Sequence, residues 1–250
     1  MNYLNYLLII IIIIIIYIIF SLTLKKKENF QDKDCIPKVI VATYFDKNKI
    51  PKKVYRNIKK YAPNYRYLIF DDEDIVRFLK TYYDKKILDT FYSLDKGPHR
   101  ADLFRYCYLY KFGGVYLDIK TQLIDNIDKI FNKDDVQLYT VLSTFKTTIH
   151  QGIIAAKPNN DIFRILIDYI VECKKPIKIY FEFTKHFFRV IKQYYKTNRI
   201  YEGFYKDKNK RFNLYLFSEK CSRNEKDCVD GLDRYGRCCY IYDKTKKIIK

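Results

Sequence analysis

The chain has 250 residues, 48% of them hydrophobic and 31% charged, with a formal net charge of +19. That length and balance suit one domain of ordinary size with a sizeable core and place most of the chain among globular proteins. The charge would suit a nucleic acid, an anionic membrane surface or a diphosphate ligand. Its lysines, however, are spread along the chain, and no helix-turn-helix, zinc-finger or single-strand-binding signature accompanies them, so no nucleic-acid partner is expected.

No charged residue occurs from Met1 to Leu24, and Lys25-Lys26-Lys27 ends the run. A stretch of about 20 apolar residues is long enough to cross a hydrocarbon layer as a helix. Residues 1–24 therefore read as an N-terminal signal-anchor, and 25–35 as a polar stem. The expected location is a single-pass membrane protein of the endomembrane system (ER- or Golgi-like) or of a viral or host membrane. Orientation stays open. The lysine cluster favours a cytoplasmic domain, whereas Cys221, Cys228, Cys238 and Cys239 crowd the tail and suggest disulfides in an oxidising lumen.

Ile36–Ala42 has the pattern of a buried strand. A helix is expected over Pro51–Tyr61, with proline in its first turn, then a strand over Tyr65–Phe70. Asp72 is a plausible cap for a helix through Ile75, Phe78 and Leu79. Asp84–Leu94 reads as helical, and another helix follows Gly97-Pro98 to about Lys111, ended by Gly113-Gly114. Further strands are expected at Val115–Leu117, Val136–Ser143, Ile153–Ala156 and near Leu214–Phe217, with helices at Asp161–Glu172 and Thr184–Tyr195. Alternating strands and helices predict an α/β sandwich with a mostly parallel central sheet. That domain is expected to cover 36–217, with a cysteine-rich tail over 218–250. Cys107 and Cys173 read as buried thiols on helices.

The chemistry concentrates between His99 and Lys120. Asp102 and Arg105 lie three apart on a predicted helix and share a face. A guanidinium fork can grip a diphosphate or sugar hydroxyls, and a carboxylate can accept hydrogen bonds from them; taken alone, the pair could equally be a surface ion pair. Asp118 ends a short strand, where open α/β sheets place their ligands and where a carboxylate can hold a divalent cation. His99, His150 and His186 are too scattered in sequence for a metal cluster. His150 stands out because it precedes Gln151-Gly152. No Gly-x-Ser-x-Gly, Walker or Gly-x-Gly-x-x-Gly motif is present.

Arg100-Ala-Asp-x-x-Arg-Tyr106 followed by Gly113-Gly-Val-Tyr-Leu-Asp118 resembles glycosyltransferase family 32, the sugar-binding region containing a DXD motif. This group includes α-1,6-mannosyltransferases and mannosyl-inositol-phosphoceramide synthase subunits. Ile36-Pro37-Lys-Val-Ile40, Pro63-Asn64-Tyr65 and, more weakly, Gln151–Pro158 extend the likeness to about half the chain. The resemblance implies a GT-A type fold and transfer of a hexose, with retention, from a nucleotide-diphosphate sugar to a glycan, lipid or protein acceptor, using Mn2+ or Mg2+. It implies donor-site roles for Asp102, Arg105 and Asp118, with Asp118 also on the metal. Tyr116 would flank the nucleotide, Ala42 and Thr43 would follow the first strand toward the base, and Arg100, Lys120 and His150 would complete substrate binding.

One position departs from the family. Asp118-Ile-Lys120 stands where Asp-x-Asp is expected. A like charge about 4 Å from a unit charge costs on the order of 4 kcal/mol at an effective dielectric near 20, and a divalent ion doubles that. Three outcomes are open: Lys120 replaces the metal against the diphosphate, Asp125 or Asp128 supplies the missing ligand, or the chain is an inactive sugar- or nucleotide-binding membrane protein.

Overall fold

In a computed structural model, the described residues are 14–15, 35–95, 97–173, 180–208, 211–222 and 237–250. They form a nine-stranded mixed sheet between two layers of helix and loop. The strands are β1 (Val39–Thr43), β2 (Arg66–Phe70), β3 (Gly114–Leu117), β4 (Leu138–Leu142), β5 (Ile149–Ala156), β6 (Gly203–Tyr205), β7 (Leu214–Ser222), β8 (Cys238–Asp243) and β9 (Lys246–Ile249). The helices are α1 (Lys52–Tyr61), α2 (Asp72–Tyr82), α3 (Lys85–Ser93), α4 (Gly97–Phe112), α5 (Ile127–Ile130), α6 (Asp161–Glu172) and α7 (Glu182–Tyr194).

The strand order is β2-β1-β3-β5-β4-β7-β8-β9, with β6 paired to β7. β1 runs parallel to β2 and β3, and β4 runs parallel to β7. The other five pairings are antiparallel, so the expectation of a mostly parallel sheet is corrected. The reason is that β5 returns beside β3 in the opposite direction, and the chain's last strands are joined by short turns rather than helical crossovers.

Alternation along the strands divides the core in two. Tyr116, Ile154 and Ala156 face the layer of α2, α3, α4, α6 and α7. Val115, Leu117, Ile153 and Ala155 face α1, α5 and the C-terminal strands. α4 is buried nearly all round, with Leu103, Phe104, Tyr106, Cys107 and Leu109 at 0% exposure, so its two charged cleft residues sit on a helix embedded in the core.

Local chemistry sets the element ends. Asp71, rather than the expected Asp72, caps α2: its side chain accepts from the Asp74 N–H, and Asp74 accepts from the Asp71 N–H in return. Gly113 and Gly114 have φ of 65° and 99°. A Cβ on Gly113 would lie 2.7 Å from the Ala156 carbonyl oxygen, and one on Gly114 2.7 Å from that of Val39. Only glycine fits this tight passage from α4 into β3.

Ile36–Lys250 packs as one unit. The boundary expected at 217/218 falls inside β7, and β8 and β9 extend the same sheet. Cys221 and Cys239 form a disulfide across the β7–β8 ladder, while Cys107 is a buried free thiol and Cys173, at the end of α6, is half-buried. The expected anchor and stem lie outside the described residues apart from Ile14, Ile15 and Cys35; among the described residues, no helix is long and apolar enough to cross a membrane.

Candidate active site

The sheet directions bring six strand ends to one edge. β1, β2, β3, β4 and β7 run toward it, and antiparallel β5 begins there. A cleft of about 540 Å3 opens at this edge, walled also by the first residues of α4 and α7. Ligands of open α/β sheets sit beyond such carboxyl ends.

Arg105 and Asp102 enter from α4, and Asp118 from the residue after β3. The Arg105 side chain is buried. Its Nη2 lies 3.4 Å from Oδ1 of Asp102 and 3.6 Å from Oδ1 of Asp118. Nη1 donates to the Gln151 carbonyl oxygen at 2.5 Å and Nε to that of Ala101 at 3.2 Å, while the guanidinium lies 4.3 Å from the centre of the Tyr116 ring. Every face of the fork is therefore fixed. The Tyr116 hydroxyl donates to Oδ1 of Asp118 and lies 3.0 Å from the Thr43 hydroxyl. Oδ2 of Asp118 has no partner among the described residues.

Burial pushes the Asp102 carboxyl up to about 7, against the pull of Arg105 and with the help of the Asp118 charge. Gln151 reaches the same group. In the amide orientation that satisfies its neighbours, its nitrogen donates to Oδ1 of Asp102 at 3.0 Å, and its oxygen accepts from the Thr184 N–H at 3.1 Å and the Tyr106 hydroxyl at 2.8 Å.

The opposite wall carries a second pair. Nδ1 of His150 lies 3.3 Å from Oε1 of Glu219. Oε2 of Glu219 accepts from the Ser143 hydroxyl at 2.8 Å, the Thr144 N–H at 3.0 Å and the Thr144 hydroxyl at 3.2 Å. Burial opposes ionisation of Glu219, but the His150 ring and these donors hold it down to about 2. Burial likewise pulls the His150 ring down, and Glu219 reverses that into a net rise.

The remaining expected site residues divide by position. Thr43, Asp102, Arg105, Asp118 and His150 line the cleft. Ala42 and Tyr116 are buried behind it, Tyr116 as the shelf under Arg105. Arg100 turns away: it pairs with Asp72 at 3.3 Å, donates to the Leu94 carbonyl oxygen at 2.7 Å and lies over Phe91. Lys120 is exposed on the turn after Asp118, outside the cleft lining. Asp125 pairs with Lys246, and Asp128 with Lys38 and the Tyr65 hydroxyl, so neither lines the cleft.

His99 packs on Phe183 and His186 stacks on Tyr169, both away from His150. Glu219 and the side-chain role of Gln151 were not anticipated. Glu219 lies about 100 residues from the motif, and a serine and an acid ending an apolar strand were its only trace in the sequence.

The donor set near Asp118 fits a hard or borderline divalent ion: a carboxylate oxygen without a partner, with an imidazole nitrogen close by. The triad Glu219, Cys221 and Cys239 does not, because both sulfurs are consumed in the disulfide.

An Arg/Asp helix and a strand-end carboxylate thus meet in one cleft at the carboxyl edge of the sheet. Residues 50–137 match the family described as "Glycosyltransferase sugar-binding region containing DXD motif". The segment includes Asp102, Arg105 and Asp118.

Among curated relatives, Mannosyl phosphorylinositol ceramide synthase CSH1 of Saccharomyces cerevisiae is 29% identical over 56% of this chain and 36% of its own length. Inositol phosphoceramide mannosyltransferase 3 of Schizosaccharomyces pombe is 33% identical over 39% of this chain and 28% of its own. The matched region is thus about a third of these relatives. A solved structure, PaToxG Glycosyltransferase, aligns at a TM-score of 0.42 with 17% identity over 64% of this chain and 70% of its own.

Proposed function

We propose that this protein is a membrane-anchored glycosyltransferase of GT-A type. It transfers a hexose, with retention, from a nucleotide-diphosphate sugar to a glycan or glycolipid acceptor. The printed names of its relatives favour mannose as the sugar and an inositol-phosphate lipid as the acceptor. The observation that carries the reading is the convergence of Arg105, Asp102 and Asp118 on one cleft, from two elements joined by the Gly113-Gly114 turn.

The chain's own groups divide the work. Thr43, the last residue of β1, and Tyr44 and Phe45 after it present a hydroxyl and two rings to the nucleoside. Arg105, immobilised by Gln151, Ala101 and Tyr116, offers a preorganised cation to the sugar and the departing diphosphate, and pays no reorganisation cost when charge develops there. Asp102 accepts sugar hydroxyls, while Tyr116 and Arg105 orient Asp118 so that its second oxygen points outward. A bound Mn2+ or Mg2+ would neutralise the leaving diphosphate. The first residues of α7, with Phe145 and Phe181 in ring contact at 5.2 Å, form the outer wall toward the acceptor.

The test is a panel of UDP- and GDP-hexoses offered to the full chain in detergent micelles, with and without Mn2+. Turnover or transfer from at least one donor is expected, with a drop of about 100-fold or more in Asp118→Ala. Absence of both binding and turnover across the panel ends the reading.

A further inference from the structure

Four acids line the cleft among its described residues, Asp72, Asp102, Asp118 and Glu219, against one arginine, Arg105. Asp72 is paired with Arg100, and Asp102 shares Arg105 with Asp118. Asp118 turns an oxygen unbonded among the described residues into this cleft, and an anionic diphosphate beside it would meet like charge unless a cation accompanied it. The sequence offers Lys120 for that task, but Lys120 stands outside the lining, and Asp125 and Asp128 are committed elsewhere.

The wall itself supplies a different pair. An ideal Cβ at Gly152 would lie 2.7 Å from Nε2 of His150 and 2.9 Å from Oδ2 of Asp118. The two atoms therefore converge over the bare Cα of Gly152, and no described residue bonds either one. The other halves of both side chains are fixed. Oδ1 of Asp118 is held by the Tyr116 hydroxyl, and Nδ1 of His150 faces Glu219, which is itself anchored by Ser143 and Thr144. A carboxylate behind one imidazole nitrogen, leaving the other to face a ligand, is the usual support of a metal-binding histidine.

We propose that His150, not residue 120, completes the cation site of this enzyme. A divalent metal binds between Nε2 of His150 and Oδ2 of Asp118, with Glu219 as the positioning residue behind the imidazole and Gly152 leaving the room. The proposal rests on the glycosyltransferase reading for its ligand, a nucleoside diphosphate, but it concerns binding and can be read without turnover.

The experiment is electron paramagnetic resonance of free Mn2+ titrated with the full chain in detergent micelles, alone and with GDP or UDP. The wild type is expected to take up Mn2+ more tightly with the nucleotide. His150→Ala should weaken that uptake at least tenfold and Glu219→Gln severalfold, while Asp125→Ala and Asp128→Ala leave it unchanged. His150→Asn, read beside His150→Ala with the thermal midpoint of each, separates loss of the ligand from loss of fold.

Unchanged Mn2+ uptake in a folded His150 variant overturns the proposal. So does nucleotide binding that is identical in EDTA, because His150 would then serve as a protonated cation in the metal's place. Sugar transfer at full rate in EDTA sinks the metal site and leaves the transferase reading standing. Mn2+ and nucleotide uptake through His150 without turnover of any donor does the reverse.

Discussion

Asp102 and Glu219 face one cleft from opposite walls, both largely withdrawn from water, yet they are pushed in opposite directions. Asp102, on buried α4, has a guanidinium at 3.4 Å and one amide nitrogen at 3.0 Å, and burial carries it up to about 7. Glu219, on β7, has an imidazole, a hydroxyl, a backbone N–H and a second hydroxyl, and is held down to about 2. Burial alone decides neither state; the number and aim of the donors does. The α4 wall is thus poised to change its protonation near neutrality, whereas the β7 wall is a fixed charge that serves His150.

The largest way to break this contrast is to remove the cation the α4 wall depends on. Arg105→Ala leaves Asp102 and Asp118 facing each other without a guanidinium. It is expected to cost about 3–5 kcal/mol in denaturant unfolding and about 100-fold or more in donor turnover. A variant with wild-type stability and activity would show that the fork is not the centre of the site.

Asp102→Asn tests the upward shift. With its pKa raised from 3.8 to about 7, the folded chain keeps a proton that the unfolded chain releases between those values. Stability then falls as pH rises through that window, by about 1.4 kcal/mol per pH unit at most, and Asp102→Asn should flatten this slope. Unfolding curves at pH 5 and pH 8 compare the two directly.

Glu219→Gln tests the downward shift, whose sign is opposite. With its pKa lowered from 4.5 to about 2, Glu219 contributes stability that is complete above pH 4.5 and drains away as pH falls toward 2. The contribution is on the order of 3 kcal/mol. In Glu219→Gln the acid limb should be shallower, with lower stability at pH 7; an unaltered acid limb would break the pairing with His150. The smallest effect is expected from Tyr116→Phe, which deletes the hydroxyl between Thr43 and Asp118. A loss of about 1 kcal/mol, with a weaker hold on the donor in a binding titration, would sharpen the account of how Asp118 is aimed.

The α4 wall was legible in the sequence and the β7 wall was not. Asp102 and Arg105 declare themselves because three residues on a helix share a face, and the double glycine ties that helix to the strand ending at Asp118 within twenty residues. Glu219 meets His150 only because β4 separates β5 from β7 and aligns their ends, and strand order is not written in the hydrophobic pattern of any one strand.

The same limit explains the sheet. Apolar runs announced strands at β1, β3 and β5 but not their direction, and β8 and β9 were hidden in a segment read for its cysteines. Lys120 and Arg100 show the converse: motif position assigned them to the site, while a turn carried the first out to solvent and Asp72 drew the second away.

The bridge between Cys221 and Cys239 sits two residues beyond Glu219 and staples that strand end to its neighbour. The posture of the histidine wall is therefore coupled to thiol chemistry as well as to packing. Protein made in a reducing cell, or assayed in excess dithiothreitol, would carry a slackened clamp behind the imidazole, so the redox history of a preparation becomes a variable in its measured affinity for donor.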